Sequence, residues 1–101
     1  MTDKYVLVDK KPMPCDDVLE WAKKFDMKNR HVADDKVNGV RVSTVFLGVD
    51  HSFGEGPPML FETMIFGGDH DQYQERYSTW DDAERGHKKA LALVQDSKRS
   101  E

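Results

Sequence analysis

The sequence predicts one α+β domain: a mainly antiparallel sheet of about five strands with two helices packed on one face, in the order β-α-β-β-β-β-α. Three observations predict it. Short apolar runs recur along the chain with strand-like composition, helical periodicity takes over in two separate stretches, and an Asn38-Gly39 pair separates two of the strand-like runs. Consecutive strands joined by short turns require antiparallel pairing, whereas a doubly wound parallel sheet needs a crossover between each pair.

Tyr5-Val6-Leu7-Val8 reads as a strand, ended by Asp9-Lys10-Lys11-Pro12, with Pro12 and Pro14 breaking any continuation. From Asp16 to about Met27, Val18, Trp21, Ala22 and Phe25 fall at the spacing of one helical face, and Asp16 and Asp17 suit its N-terminus. Asn38-Gly39 is the favoured type I′ pair, so the flanking segments form a hairpin in which Val37 faces Val40, Asp35 faces Val42, Ala33 faces Thr44 and His31 faces Phe46. The first strand of that hairpin carries Asp34, Asp35 and Lys36, which suits an edge. Met59 to Phe66 is apolar on both alternating faces apart from Glu62 and Thr63 and reads as a central strand. Gly67-Gly68-Asp69 turns the chain, Gln74 to Tyr77 is a last short strand, and Thr79 caps a second helix with Trp80, Ala83, His87, Ala90, Leu91 and Val94 on its apolar stripe. The chain is polar from Asp96 onward, as expected of a frayed tail over 96–101.

A length of 101 residues suits one modest core. The lone Cys15 excludes an internal disulfide and the usual cysteine-rich zinc modules, and the expected setting is an intracellular, reducing compartment. No signal-like or membrane-spanning apolar run is present, so no membrane partner is expected. A formal net charge of −4 makes nucleic acid a poor first guess.

The richest stretch is Val42 to Gly68, in which two apolar runs flank the loop Asp50-His51-Ser52-Phe53-Gly54-Glu55-Gly56-Pro57-Pro58. Loops held between buried strands are where functional groups are presented. STVFLGVDHSFGEGPPMLFETMIFGG followed by ERYSTWDDAERGH resembles a family of small bacteriophage and prophage proteins to which no established activity attaches; the likeness covers Val42 to His87. The resemblance implies a phage or prophage setting and a compact accessory protein. It supplies no catalytic residue.

Site candidates therefore rest on chemistry. Asp50-His51 could be an acid/base pair or metal ligands, or Asp50 could simply close a turn beside a surface histidine. Gly54 and Gly56 permit close backbone approach to a ligand, while Phe53 and Glu55 offer an aromatic anchor and a carboxylate. Glu62 interrupts an apolar strand and must be partnered or chemically useful, with Arg76 the natural partner. His87 could be a core-edge histidine or could meet Glu62 and His51 in a metal triad, and Gly86 beside it suggests close helix-to-sheet packing. Asp69-His70-Asp71 reads as a solvated turn, Trp21 and Trp80 as helix anchors, and no nucleotide loop or Ser-His-Asp order stands out.

The leading expectation is a non-catalytic binding protein, without cofactor, that engages a host protein or a small ligand through Asp50, His51, Phe53, Gly54, Glu55, Gly56, Glu62 and Arg76. One rival is a metal-dependent hydrolase or nuclease-like enzyme using Asp50, His51, Glu62 and His87. Another is a homo-oligomer that sequesters a nucleotide signal made by a host defence system.

Overall fold

The computed structural model describes residues 3–24, 30–50 and 56–99. The elements run β1 (Tyr5–Val8), β2 (Lys11–Pro14), α1 (Val18–Lys24), β3 (His31–Val37), β4 (Val40–Phe46), β5 (Phe61–Phe66), β6 (Gln74–Tyr77) and α2 (Trp80–Arg99). Among the described residues the strands form two antiparallel sheets, a β1-β2 hairpin and a four-stranded sheet ordered β3-β4-β5-β6. This is the expected α+β class with one strand more than the sequence suggested.

The extra strand is β2. Asp9 (φ 50°) and Lys10 (φ 70°) make a two-residue left-handed turn without the usual glycine, so the hairpin escapes the Asn-Gly signal. The prolines fit because of register. Val8 pairs with Lys11 beside the turn and Val6 with Met13, which makes these the hydrogen-bonded pairs and leaves Pro12 and Pro14 at the alternate positions, ring nitrogens toward the outer edge.

In the main hairpin, Asn38 (φ 53°) and Gly39 (φ 82°) form the predicted turn, and Val37, Asp35 and Ala33 face Val40, Val42 and Thr44 as expected. Beyond Ala33 a bulge shifts the ladder, so His31 pairs with Val45 instead of Phe46. The Phe46 amide then donates to the Arg30 carbonyl at 2.6 Å.

Helix α2 lies across one face of the four-stranded sheet and touches all of its strands. Its Ala83, His87, Ala90 and Val94 are buried against Val42, Thr44, Phe46, Phe61, Thr63 and Ile65, the alternate residues of β4 and β5 that share that face. Fully burying a large apolar side chain such as Phe61 or Ile65 contributes about 1.5–3 kcal/mol. Thr79 Oγ1 accepts from the Asp82 amide at 3.1 Å, the cap the sequence predicts, and helical backbone continues past Asp96 to Arg99. Gly86 is required by packing: a methyl there would overlap the Tyr77 phenol.

Helix α1 does not join α2 on the sheet. Of its predicted stripe, Val18 (55% exposed) and Ala22 face outward, as does Leu19 (75%), while Trp21 turns inward and Phe25 lies outside the described residues; the helix is docked against β1 instead. The dock is polar: the Trp21 indole N–H is shared between the carbonyls of Tyr5 (3.1 Å) and Gly48 (3.0 Å). Asp17 Oδ1 caps the helix by accepting from the Leu19 and Glu20 amides. Among the described residues, no helix is long and apolar enough to cross a membrane.

Candidate functional site

The 50–58 loop leaves the sheet between β4 and β5, and its base is fastened from two sides. Asp50 Oδ1 accepts from the Met59 amide at 3.0 Å, so one carboxylate spans the loop's entry and exit. The entry strand is tied to the N-terminal segment by the Lys4–Val49 bridge and by the Asp50 amide donating to the Asp3 carbonyl at 2.9 Å. On the exit side, the Leu60 amide donates to the Tyr77 carbonyl at 2.9 Å. Gly56 has a φ of 127°, a conformation that side chains rarely adopt. His51, Phe53, Gly54 and Glu55 lie outside the described residues.

Beside the loop exit is an open depression of about 360 Å³, lined by Met59, Arg76, Ser78, Asp82, Arg85 and Lys89 among others. Thus Arg76, picked out from sequence, shares a surface with the end of the loop. Its charges are largely matched at home. Arg85 pairs with Asp82, Lys89 lies 3.9 Å from Glu75, and Arg76 Nε donates to Glu62 Oε2 at 2.9 Å.

Glu62 is accounted for on the opposite face of the sheet from α2. It sits directly across from Arg76 in the ladder, with its side chain 12% exposed, and it also accepts from Gln74 Nε2 at 2.5 Å. Two charge-assisted donors satisfy a carboxylate that would otherwise be costly to desolvate. Because successive residues of a strand point to opposite faces, Thr63 faces α2 and Glu62 faces away. His87 comes from α2. The convergence of Glu62 with His87 that the metal-triad alternative requires therefore does not occur, since the sheet separates them. Among the described residues, no three His, Cys, Asp or Glu side chains stand together as metal ligands.

His87 instead anchors a network that sequence reasoning missed. Its ring is 3% exposed, with Nε2 2.7 Å from Asp35 Oδ2 and Nδ1 2.7 Å from Thr44 Oγ1; Thr44 Oγ1 lies 2.5 Å from Thr63 Oγ1. A carboxylate only accepts, so Nε2–H donates to Asp35, while the Thr44 hydroxyl bonds both His87 Nδ1 and the Thr63 hydroxyl. The connectivity of Asp35, His87 and Thr44 is that of a hydrolytic triad. Its hydroxyl, however, is sealed in: Thr44 and Thr63 are both 0% exposed, so no substrate reaches them. The network satisfies buried polar groups and fixes α2 on the sheet. A signal was present in the sequence, since Thr44 interrupts the apolar face of β4 and falls opposite Thr63 once both strands are paired.

Two tyrosines on the same face are perturbed. Burial, reinforced by the hydroxyl's 2.5 Å bond to Glu75 Oε2, pushes the Tyr73 phenol far above its ordinary value. Burial also raises that of Tyr77. On the other face, the two-pronged hydrogen bond from Arg41 (3.0 and 2.8 Å) holds Asp34 below the usual carboxylate range. The 69–71 turn is structural, with Asp71 Oδ1 accepting from the Gly67 amide at 2.7 Å. Comparison with known proteins gives no matching family model, no matching curated relative and no matching solved structure.

Proposed function

We propose that this chain is a small, non-catalytic binding protein of phage accessory type, acting in the cytoplasm of a bacterial host and engaging a host protein or small ligand through the 50–58 loop and the depression beside Arg76. The observation that carries the reading is the Asp50–Met59 clamp at the loop base. A loop whose two ends are pinned by a side chain loses less entropy on binding than one hinged freely, and preorganisation is a main source of affinity. The adjoining depression brings Arg76, Ser78 and Met59 to the same edge, giving a partner both polar and soft apolar contact.

The remaining chemistry agrees with binding more than turnover. Three of the side chains weighed for chemistry have a structural engagement: Asp50 with Met59, Glu62 with Arg76, and His87 with Thr44 and Asp35. A hydrolase built on Asp50, His51, Glu62 and His87 would need Glu62 and His87 at one ion, and they lie on opposite faces of the sheet.

The test is a triple substitution, His51→Ala, Phe53→Ala and Glu55→Ala, in the full chain used as bait in the host cell. The expected outcome is loss of the partner or retained ligand with an unchanged unfolding midpoint. If every captured partner and every cellular phenotype survives the triple substitution, the loop is not the binding surface.

A further inference from the structure

We propose that the groove between the β1-β2 hairpin and α1 is a second docking surface, shaped for a basic segment of a partner protein that carries apolar anchors. The strand register gives the hairpin two apolar faces. Tyr5 and Leu7 point one way and pack on the core cluster of Phe46, Leu60 and Phe61. Val6, Val8 and Met13 point the other way, toward α1.

That second face is incompletely covered. A groove of about 520 Å³ runs between it and α1, and Val8 and Met13 remain 48% and 47% exposed. Two exposed apolar side chains would be unremarkable singly, but here they share a floor with Val6.

Charge complementarity identifies the occupant. The rim carries four carboxylates, Asp9, Asp16, Asp17 and Glu20, against two ammonium groups, Lys11 and Lys24. Glu20 and Lys24 pair with each other at 3.0 Å, which leaves Asp9, Asp16 and Asp17 against Lys11 and a net negative border facing an incoming segment. Lysine or arginine flanking an apolar anchor matches this arrangement, whereas an acidic segment is repelled. The mode of docking also follows. The outer edge of β2 offers the ring nitrogens of Pro12 and Pro14 in place of N–H donors, so a partner strand cannot extend the hairpin in register. The partner must dock by side chains on the face, as an amphipathic segment does in a groove.

The experiment uses the full chain with methyl-labelled valine and methionine and two synthetic amphipathic peptides of equal apolar content, one bearing lysines and the other glutamates. The lysine peptide should shift the Val8 and Met13 methyl resonances saturably, and the glutamate peptide should bind at least about tenfold more weakly. Asp9→Asn with Asp16→Asn should weaken the lysine peptide about fivefold at low salt. Both positions are exposed, and circular dichroism verifies that the double variant is folded. Absence of binding, shifts confined to other surfaces, equal affinity for both peptides, or indifference to the double substitution would each overturn the proposal. Loop substitutions at His51, Phe53 and Glu55 should leave this binding unchanged, which separates it from the 50–58 surface.

Discussion

His87 Nδ1 lies 2.7 Å from Thr44 Oγ1 in a fully enclosed position, and through that bond the long helix is fixed to the middle of the sheet. Leaving a buried donor or acceptor without a partner costs about 1–3 kcal/mol. Thr44→Val should therefore destabilise the fold by about 2 kcal/mol although it preserves shape, since it strands the imidazole nitrogen and the Thr63 hydroxyl together. Asp35→Asn, at a half-exposed partner that water can replace, should cost about 1 kcal/mol or less. Urea unfolding of the two variants checks the order; equal costs would mean that the Thr44 bond is not the important one.

Gly86 lies within α2, where glycine normally costs about 1 kcal/mol relative to alanine. The Tyr77 ring occupies the space of the missing side chain, so Gly86→Ala should destabilise despite better helix propensity. The Gly86→Ala penalty should shrink by at least about 1 kcal/mol in a Tyr77→Ala background, as a double-mutant cycle on the unfolding free energy would show.

Alkaline stability should depend on Tyr73. Its folded-state pKa is raised, so the unfolded chain releases the phenolic proton first as pH climbs past about 10. The contribution is complete below that value and is lost as pH rises through the folded pKa. Tyr73→Phe should flatten the decline of the urea midpoint above pH 10, whereas the parent chain should lose stability there.

Asp34 works in the opposite direction. Its lowered folded pKa means that the Arg41 bond contributes above the ordinary carboxylate range and is lost as pH falls through the folded value. The pair is largely solvated, so Asp34→Asn should cost at most about 1 kcal/mol at neutral pH. The gap from the parent should close in acid and narrow in high salt.

Much of the fold was legible in local pattern. Asn38-Gly39 set the β3-β4 register from Val37 to Ala33, and the spacing of Ala83, His87, Ala90 and Val94 marked the buried face of α2. The Glu62–Arg76 pairing was also legible, because an interrupting carboxylate needs a cation and the last strand offered one. The β1-β2 hairpin was not. Its Asp9-Lys10 turn uses non-glycine residues at positive φ, and Pro12 and Pro14 argue against a strand unless its outer edge is already known to be free. Helix α1 was placed on the sheet by its apolar stripe, yet its dock is a backbone-carbonyl pair around one indole, which periodicity cannot show. Likewise, the His87 network joins residues 43 positions apart, and only the assembled sheet brings Thr44 beneath the helix.

The Asp50–Met59 clamp makes a direct test of the binding account possible at the base of the loop, with His51, Phe53 and Glu55 left in place. Native mass spectrometry of the parent chain and Asp50→Ala, each purified gently from host cells, reports any companion protein, ligand or metal that travels with it. The account predicts a companion mass on the parent that is largely lost from a folded Asp50→Ala chain. A stoichiometric metal ion held equally by both, or a companion retained undiminished without the clamp, would contradict it.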